Sequence, residues 1–352
     1  MTIDVLTASR QASLLRCMRQ HYWRFELKLK RQAEAAALRF GSAWHKAMEV
    51  RTQGGTIEAA FSAAIQDAMD NERRLDELQV ATLSGMLAGY YAQYEGDPVL
   101  VTHPEVEFRL PIHGSRAFVT AGKIDGLMVM NDGTTSLREY KTSGSDIQPQ
   151  SDYWLRLRCN AQIMQYVWAA RQSGWDVNTI IYDVARKPMI EPRQVPQLDD
   201  QGRKIVHDAQ GNRVFKKDGT PRESAGEGMT LQSVTETPDQ FADRLFADTK
   251  ERPFFYFARR EVPVMDDDLA EFLVQRLELA RLILSLRKAS RRLPRPEQAW
   301  PRNVDISTCR GCEYCDFCLQ GVRVDATCPP SGFVIADTNT PELSNNTTGE
   351  NA

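Results

Sequence analysis

The sequence predicts an α/β fold in which a mixed central sheet is flanked by helices, with a helical N-terminal part and a cysteine cluster near the C-terminus. Three observations predict it. Residues 8–31, 57–73 and 75–94 carry apolar side chains at helical spacing. From His103 the period changes to two over three successive segments, EVEFRLPI, RAFVTAGKIDGLMVM and TSLREYK, which read as antiparallel strands. A helical stretch at 152–173 then leads into NTIIYDVA, a strand apolar enough to be central, so strand, helix and strand form a parallel crossover packed on the sheet.

Length and composition bound the answer. At 352 residues and 42% hydrophobic content the chain can bury a large core, as one elaborated domain or two ordinary ones. A net charge of -3 and a pI near 6.0 give no global basic field, so any nucleic-acid role must rest on a local basic surface. There is no apolar run long enough for a bilayer span and no secretory leader pattern, so a cytoplasmic location is expected. Seven cysteines in a reducing compartment then point to a metal rather than to disulfides.

Taken in order, residues 8–31 predict a helix with a cationic face (Arg10, Arg16, Arg19, Arg24, Lys28, Lys30 and Arg31) able to face phosphates, with Cys17 inside it. Gly41-Ser42 opens a helix to about Arg51, with Ser42 as N-cap and His45 near its start, on one face with Glu49. The stretches 57–73 and 75–94 read as scaffold helices. The helix at 152–173, capped by Asp152, places Gln162 and Tyr166 on one face and buries Cys159. Residues 191–228 interrupt the pattern with repeated turn signals (DDQGRK, DAQGNR, KKDGTP) and read as a surface insertion of one or two hairpins carrying Lys204, Arg213, Lys216 and Lys217. A helix over 238–252, a strand over 254–262 and a long amphipathic helix over 266–290 follow. The expected domain is 1–328, with 329–352 a polar, disordered tail.

The stretch from Gly122 to Gly144 organises the rest. Asn131-Asp132-Gly133 is a turn signal between alternating apolar segments, and a three-residue loop with Gly133 in the left-handed region sets the register. Asp125 then lies across from Glu139, and Lys141 shares the face of Glu139 because strand side chains alternate. Two carboxylates and an amine converge.

Cys309, Cys312, Cys315 and Cys318 fall within ten residues, a density that reads as metal binding. Thiolate donors suit zinc or an iron-sulfur cluster, and the spacing does not separate the two. Either all four ligands are local, or Cys17 supplies one and staples the N-terminal helix to the C-terminus.

Together, in one order, Cys17, His45, Asp125, Glu139-Tyr140-Lys141, Gln162 with Tyr166, and the terminal cysteines resemble the PD-(D/E)xK nuclease superfamily. They resemble specifically its RecB-like branch with an iron-sulfur cluster, which includes the AddB nuclease domain and CRISPR-associated exonucleases. The resemblance covers roughly residues 9–320 apart from the insertion. It implies a restriction-endonuclease-like core and a divalent Mg2+ or Mn2+ held by His45, Asp125, Glu139 and the carbonyl of Tyr140. It further implies Lys141 positioning the attacking water, and Gln162 and Tyr166 shaping the site and contacting DNA. The cluster ligands it implies are Cys17, Cys309, Cys312 and Cys318, following C-x2-C-x5-C, with Cys315 surplus or an alternate ligand.

The function expected is a metal-dependent exonuclease on DNA ends or single strands, in recombination, repair or phage DNA processing. Without a G-x-x-x-x-G-K-[ST] loop the chain is not itself an ATP-driven motor, so a helicase or recombinase partner would supply processivity. The alternative is a non-catalytic iron-sulfur or zinc nucleic-acid-binding module docked on such a partner.

Overall fold

The structure, a computed structural model, describes residues 3–33, 35–97, 101–129, 133–155, 157–324 and 326–337. It begins with strand β1 (Asp4–Val5), helix α1 (Ala8–Arg16), helix α2 (Met18–His21), a π-helical turn over Tyr22–Glu26, and strand β2 (Leu29–Arg31). The single helix expected over 8–31 is therefore broken. Cys17 sits in the break with extended backbone (φ -164, ψ 116). Two of the seven cations are withdrawn from the cationic face: Arg10 is buried between Asp4 and Glu26, and Arg19 against the carbonyl of Trp300, while Arg16, Arg24, Lys30 and Arg31 stay exposed. Two guanidiniums in this segment thus hold the N-terminus together.

Helix α3 (Ala36–Thr52) starts well before the expected Ser42 cap, carries Gly41 and Ser42 inside it, and places His45 near its middle. An alanine-rich start needs no side-chain cap, since alanine has the highest helix propensity. Helices α4 (Ile57–Asp70) and α5 (Glu77–Gln93) follow as read, α5 opened by a capping box between Asp76 and Gln79.

The three antiparallel strands are β3 (Val101–Pro111), β4 (Phe118–Val129) and β5 (Thr135–Ser143). The stretch 152–173 is two helices, α6 (Asp152–Leu155) and α7 (Ala161–Gln172), because Asn160 caps α7 through its side chain. Cys159 lies in the break and is exposed, not buried. Strand β6 (Val177–Arg186) returns parallel to β5, so the crossover stands.

Short ladders β7 (Gln194–Pro196), β8 (Val206–Asp208), β9 (Met229–Leu231) and β10 (Ser233–Thr235) occupy the polar interruption and a little beyond it. Arg213 is engaged there by Asp199. Then come α8 (Pro238–Glu251), α9 (Pro253–Tyr256), β11 (Phe257–Pro263), which starts three residues later than expected because Pro253 opens a helical turn, and α10 (Asp266–Ser290). Two short helices, α11 (Ile306–Arg310) and α12 (Cys315–Leu319), carry the cysteines. Of the tail expected to be disordered over 329–352, Phe333–Ile335 forms β12, which pairs antiparallel with β2 because Phe333 packs on Tyr314 and Phe317; residues 338–352 lie outside the described residues. Among the described residues no helix is long and apolar enough to cross a membrane.

The six-stranded sheet runs β1-β4-β5-β6-β11, with β3 on the remaining edge of β4. One apolar cluster, including Leu137, Ile180 and Val184, lies with α7; a second, including Trp44, Tyr90, Tyr140 and Phe241, packs α3, α4, α5 and α8 on the sheet. Strand β5 is buried from Ser136 to Tyr140, as a central strand covered by both layers must be.

Candidate active site

The site arises where the sheet forks. Pairing of β4 with β5 runs from Val129–Thr135 to Gly126–Arg138, and β1 takes over the same edge of β4 at Phe118 and Val119. The expected register is therefore the one formed, although residues 130–132 of the turn lie outside the described residues; Gly133 has φ 82. One residue past the last pair, Asp125 and Glu139 face each other across the opening. There the Asp125 side chain substitutes for the missing backbone acceptor: its Oδ2 accepts the Tyr140 N–H at 2.9 Å.

Four side chains predicted for the site meet in this gap. His45 Nδ1 on α3 lies 3.3 Å from Asp125 Oδ2, and Lys141 Nζ forms an ion pair with Glu139 Oε1. Glu139 is wholly buried; Lys141 meets its Oε1, and its Oε2 has no partner among the described residues. Burial, and then the Asp125 charge, push its carboxyl up to about 7. Burial also works to raise Asp125, but His45, Lys141 and the Tyr140 N–H outweigh it and hold Asp125 below its ordinary value. Burial would discharge Lys141, yet Glu139 and the neighbouring groups keep its ammonium charged well into the alkaline range.

Helix α7 closes the far wall. Gln162 Nε2 donates to Tyr166 Oη at 2.9 Å, and burial followed by the Glu139 and Asp125 charges keeps the Tyr166 hydroxyl protonated. The helix is seated by Gln165, whose Nε2 donates to the Ala121 carbonyl at 2.9 Å and whose Oε1 accepts from the buried Arg276 at 2.9 Å. Gly122 allows this approach, since a Cβ there would stand 2.7 Å from the Phe108 ring and 3.0 Å from Gln165. The whole forms a cleft of about 1080 Å3 onto which His45, Asp125, Glu139, Lys141, Gln162 and Tyr166 all open.

Sequence reading missed Glu105 and Lys123. The pairs Pro104–Gly126 and Val106–Ile124 put Glu105 opposite Asp125, so three carboxylates on β3, β4 and β5 stand in line. Glu105 has φ 56, a strained value for a non-glycine residue, and pairs with Lys123. Extending the hairpin register one strand back to PEVEF would have found it.

Far from the cleft in sequence, Cys17, Cys309, Cys312, Cys315 and Cys318 line a single small cavity. Cys17 reaches it because the extended break between α1 and α2 turns it toward α11 and α12; the Asn303 N–H donates to its Sγ at 3.5 Å. Burial pushes the Cys312 and Cys318 thiols up, and the Arg302 and Arg19 guanidiniums act against it at Cys318. Cys159 and Cys328 are exposed.

The donor sets fit the groups the sequence implied: an imidazole and hard carboxylates with unpartnered oxygens for Mg2+ or Mn2+, soft sulfurs for iron-sulfur or zinc. As the side chains stand, no three His, Cys, Asp or Glu among the described residues are drawn close enough to share an ion. The fit therefore rests on donor type and placement.

No curated protein matches the chain. Among solved structures, a candidate exonuclease from Eubacterium rectale is 10% identical at a TM-score of 0.35, over 71% of this chain and 79% of its own. The protein SSO0001 is 13% identical at a TM-score of 0.25, over 71% and 77%. At those scores neither carries an argument. The model of the PD-(D/E)XK nuclease superfamily matches residues 5–319, nearly the whole described fold, and the chain belongs to that superfamily.

Proposed function

We propose that this chain is a metal-dependent deoxyribonuclease of the RecB-like branch, acting on DNA ends or single strands, with an iron-sulfur cluster on four of its cysteines. The observation that carries the reading is Glu139, a fully buried carboxylate met by Lys141 alone and with one oxygen unpartnered, opening on a cleft beside Asp125 and His45. Such a group costs stability unless something completes it. Asp125, Glu139, His45 and the Tyr140 carbonyl would hold Mg2+ or Mn2+. Bound there, the ion supplies Lewis-acid polarisation of the phosphate and a lowered pKa for a water.

The chain's own residues do the rest. The Tyr140 N–H fixes Asp125, leaving its other oxygen free. Lys141, kept charged by Glu139, stabilises charge developing on the phosphate and orients the attacking water. Tyr166, held protonated, keeps a hydroxyl to offer a phosphate oxygen, and Gln162 fixes its direction. Cys17, Cys309, Cys312 and Cys318 would ligate the cluster, with Cys315 the alternate. A separate helicase or recombinase would supply processivity.

The test is anaerobic digestion of end-labelled single- and double-stranded DNA with Mg2+ or Mn2+, comparing the protein with Glu139→Ala. Cleavage should fall by about 10³-fold in the variant. Wild-type protein that binds DNA and cuts no end, gap or duplex would sink the enzyme reading and leave a binding module.

A further inference from the structure

The cysteine cavity has a wall that its thiols do not explain. Trp23 lines it and is 2% exposed, yet its indole Nε1 has no hydrogen-bond partner among the described residues. Gln20 lines it as well, with a buried Oε1 that is also unpartnered. The ring is held in place by aromatic packing: Tyr314 at 5.5 Å and Phe317 at 5.0 Å between centroids, with the Arg19 guanidinium over its face at 5.8 Å. A buried N–H left without an acceptor costs stability, and native structures rarely leave one. Gln20 Oε1, itself unpartnered, does not accept it, and five cysteine sulfurs share its cavity.

We infer that the Trp23 indole N–H donates a hydrogen bond to a sulfur of the metal-loaded cysteine centre, so that Trp23 is a positioning residue for that centre and tunes it. This rests on the cysteine centre of the proposed function. Hydrogen bonds to cluster sulfurs stabilise the more negative, reduced state, and outer-shell partners of metal ligands typically change affinity by ten- to a hundredfold. Phe317 and Tyr314 set the ring's orientation, and the sulfur gives its N–H the acceptor that the chain itself does not.

The test compares the anaerobically purified full chain with Trp23→Phe, which keeps an aromatic ring and deletes the N–H. In the variant, release of metal to a chelator should be about tenfold faster. The midpoint potential should move to more negative values, and an exchangeable-proton coupling seen by pulsed EPR of the reduced wild type should disappear. Metal-free wild type and variant should melt alike, which separates loss of the hydrogen bond from loss of packing. Equal release rates and an unchanged potential in an iron- and sulfide-containing protein overturn the inference and leave the cluster standing. A wild type that contains neither iron nor zinc overturns the centre itself, and the inference with it. In a zinc protein the release rates alone decide.

Discussion

Strand β5 carries buried charge toward both layers of the fold, and the two sides handle it differently. On the side of α5, Arg138 pairs with Asp183, which also accepts from Tyr90 Oη at 2.6 Å and Arg259 Nε at 3.0 Å; Arg259 in turn holds Asp97 at 2.6 Å. One residue further on, Glu139 has Lys141 as its one partner, its second oxygen is unmet, and it opens on the cleft. Arg138, Asp183 and Glu139 are each at most 1% exposed, so burial does not tell the sides apart. Completeness does. A network whose charges all meet opposite charges holds the sheet, and a buried carboxylate left short of partners marks where a ligand belongs.

The sharpest way to break that comparison is Asp183→Asn, which leaves Arg138 and Arg259 facing each other without their shared carboxylate. Stripping one partner from a buried ion network typically costs about 3 to 5 kcal/mol. The urea unfolding midpoint of the metal-free protein should fall accordingly. A variant within about 1 kcal/mol of wild type would mean that the complete network is not what secures β5 against β6 and β11, and the contrast with Glu139 would lose its force.

A smaller effect sharpens the other side. Burial raises Glu139 from 4.5 to about 7, so between those values the folded chain holds a proton that the unfolded chain has lost. At Glu139 the folded state then binds more protons, and this group alone makes stability fall as pH rises from about 4.5 to about 7, by up to about 3 kcal/mol. Buried His21, pushed down to about 2, acts with the opposite sign up to its ordinary 6.5, so the Glu139 contribution is read as the difference between wild type and a Glu139 variant. Asp125, held low, contributes the opposite slope only below its ordinary value of 3.8, and Lys141 stays charged throughout the window. Measured at pH 5, 6 and 7 in chelator, the unfolding midpoint of wild type relative to Glu139→Gln should fall with rising pH, since His21 contributes equally to both. Should the variant keep the same slope, Glu139 is not the group that titrates.

How much of this was legible beforehand follows from which forces act locally. The hairpin register was legible because a turn and a period of two fix it, and so Asp125, Glu139 and Lys141 could be aligned in advance. The parallel return of β6 and the 266–290 helix were legible for the same reason, a strong period over many residues. Breaks inside helical patterns were not. Cys17 interrupts 8–31, where a distant partner, Asn303, meets its sulfur, and Asn160 interrupts 152–173, where its side chain caps α7 through the N–H groups of Gln162 and Ile163. The basic stripe was only partly legible: Arg10 is claimed by Asp4 and Glu26, one of them on β1 and the other in the π-helical turn, which no local pattern announces. The Phe333–Ile335 strand was invisible, since three residues carry too little pattern and their partner β2 lies about three hundred residues away.

The smallest predicted effect asks which side Tyr166 belongs to. It is as buried as a core tyrosine, at 7% exposure, and packs edge-on against Phe108 at 6.0 Å, yet its hydroxyl meets Gln162 at the cleft wall. Tyr166→Phe keeps the packing and removes one hydrogen bond, worth about 0.5 to 1.5 kcal/mol. If the hydroxyl serves the cleft, that loss should appear in substrate binding: in a Glu139→Ala background, single-stranded DNA should dissociate about five- to tenfold more readily by fluorescence anisotropy, with the unfolding midpoint almost unmoved. If stability falls instead while DNA binding is unchanged, Tyr166 belongs with Tyr90 and Asp183 among the groups that hold the sheet. The cleft would then lose its α7 wall as a phosphate contact, leaving Asp125, Glu139, Lys141 and His45 to account for recognition alone.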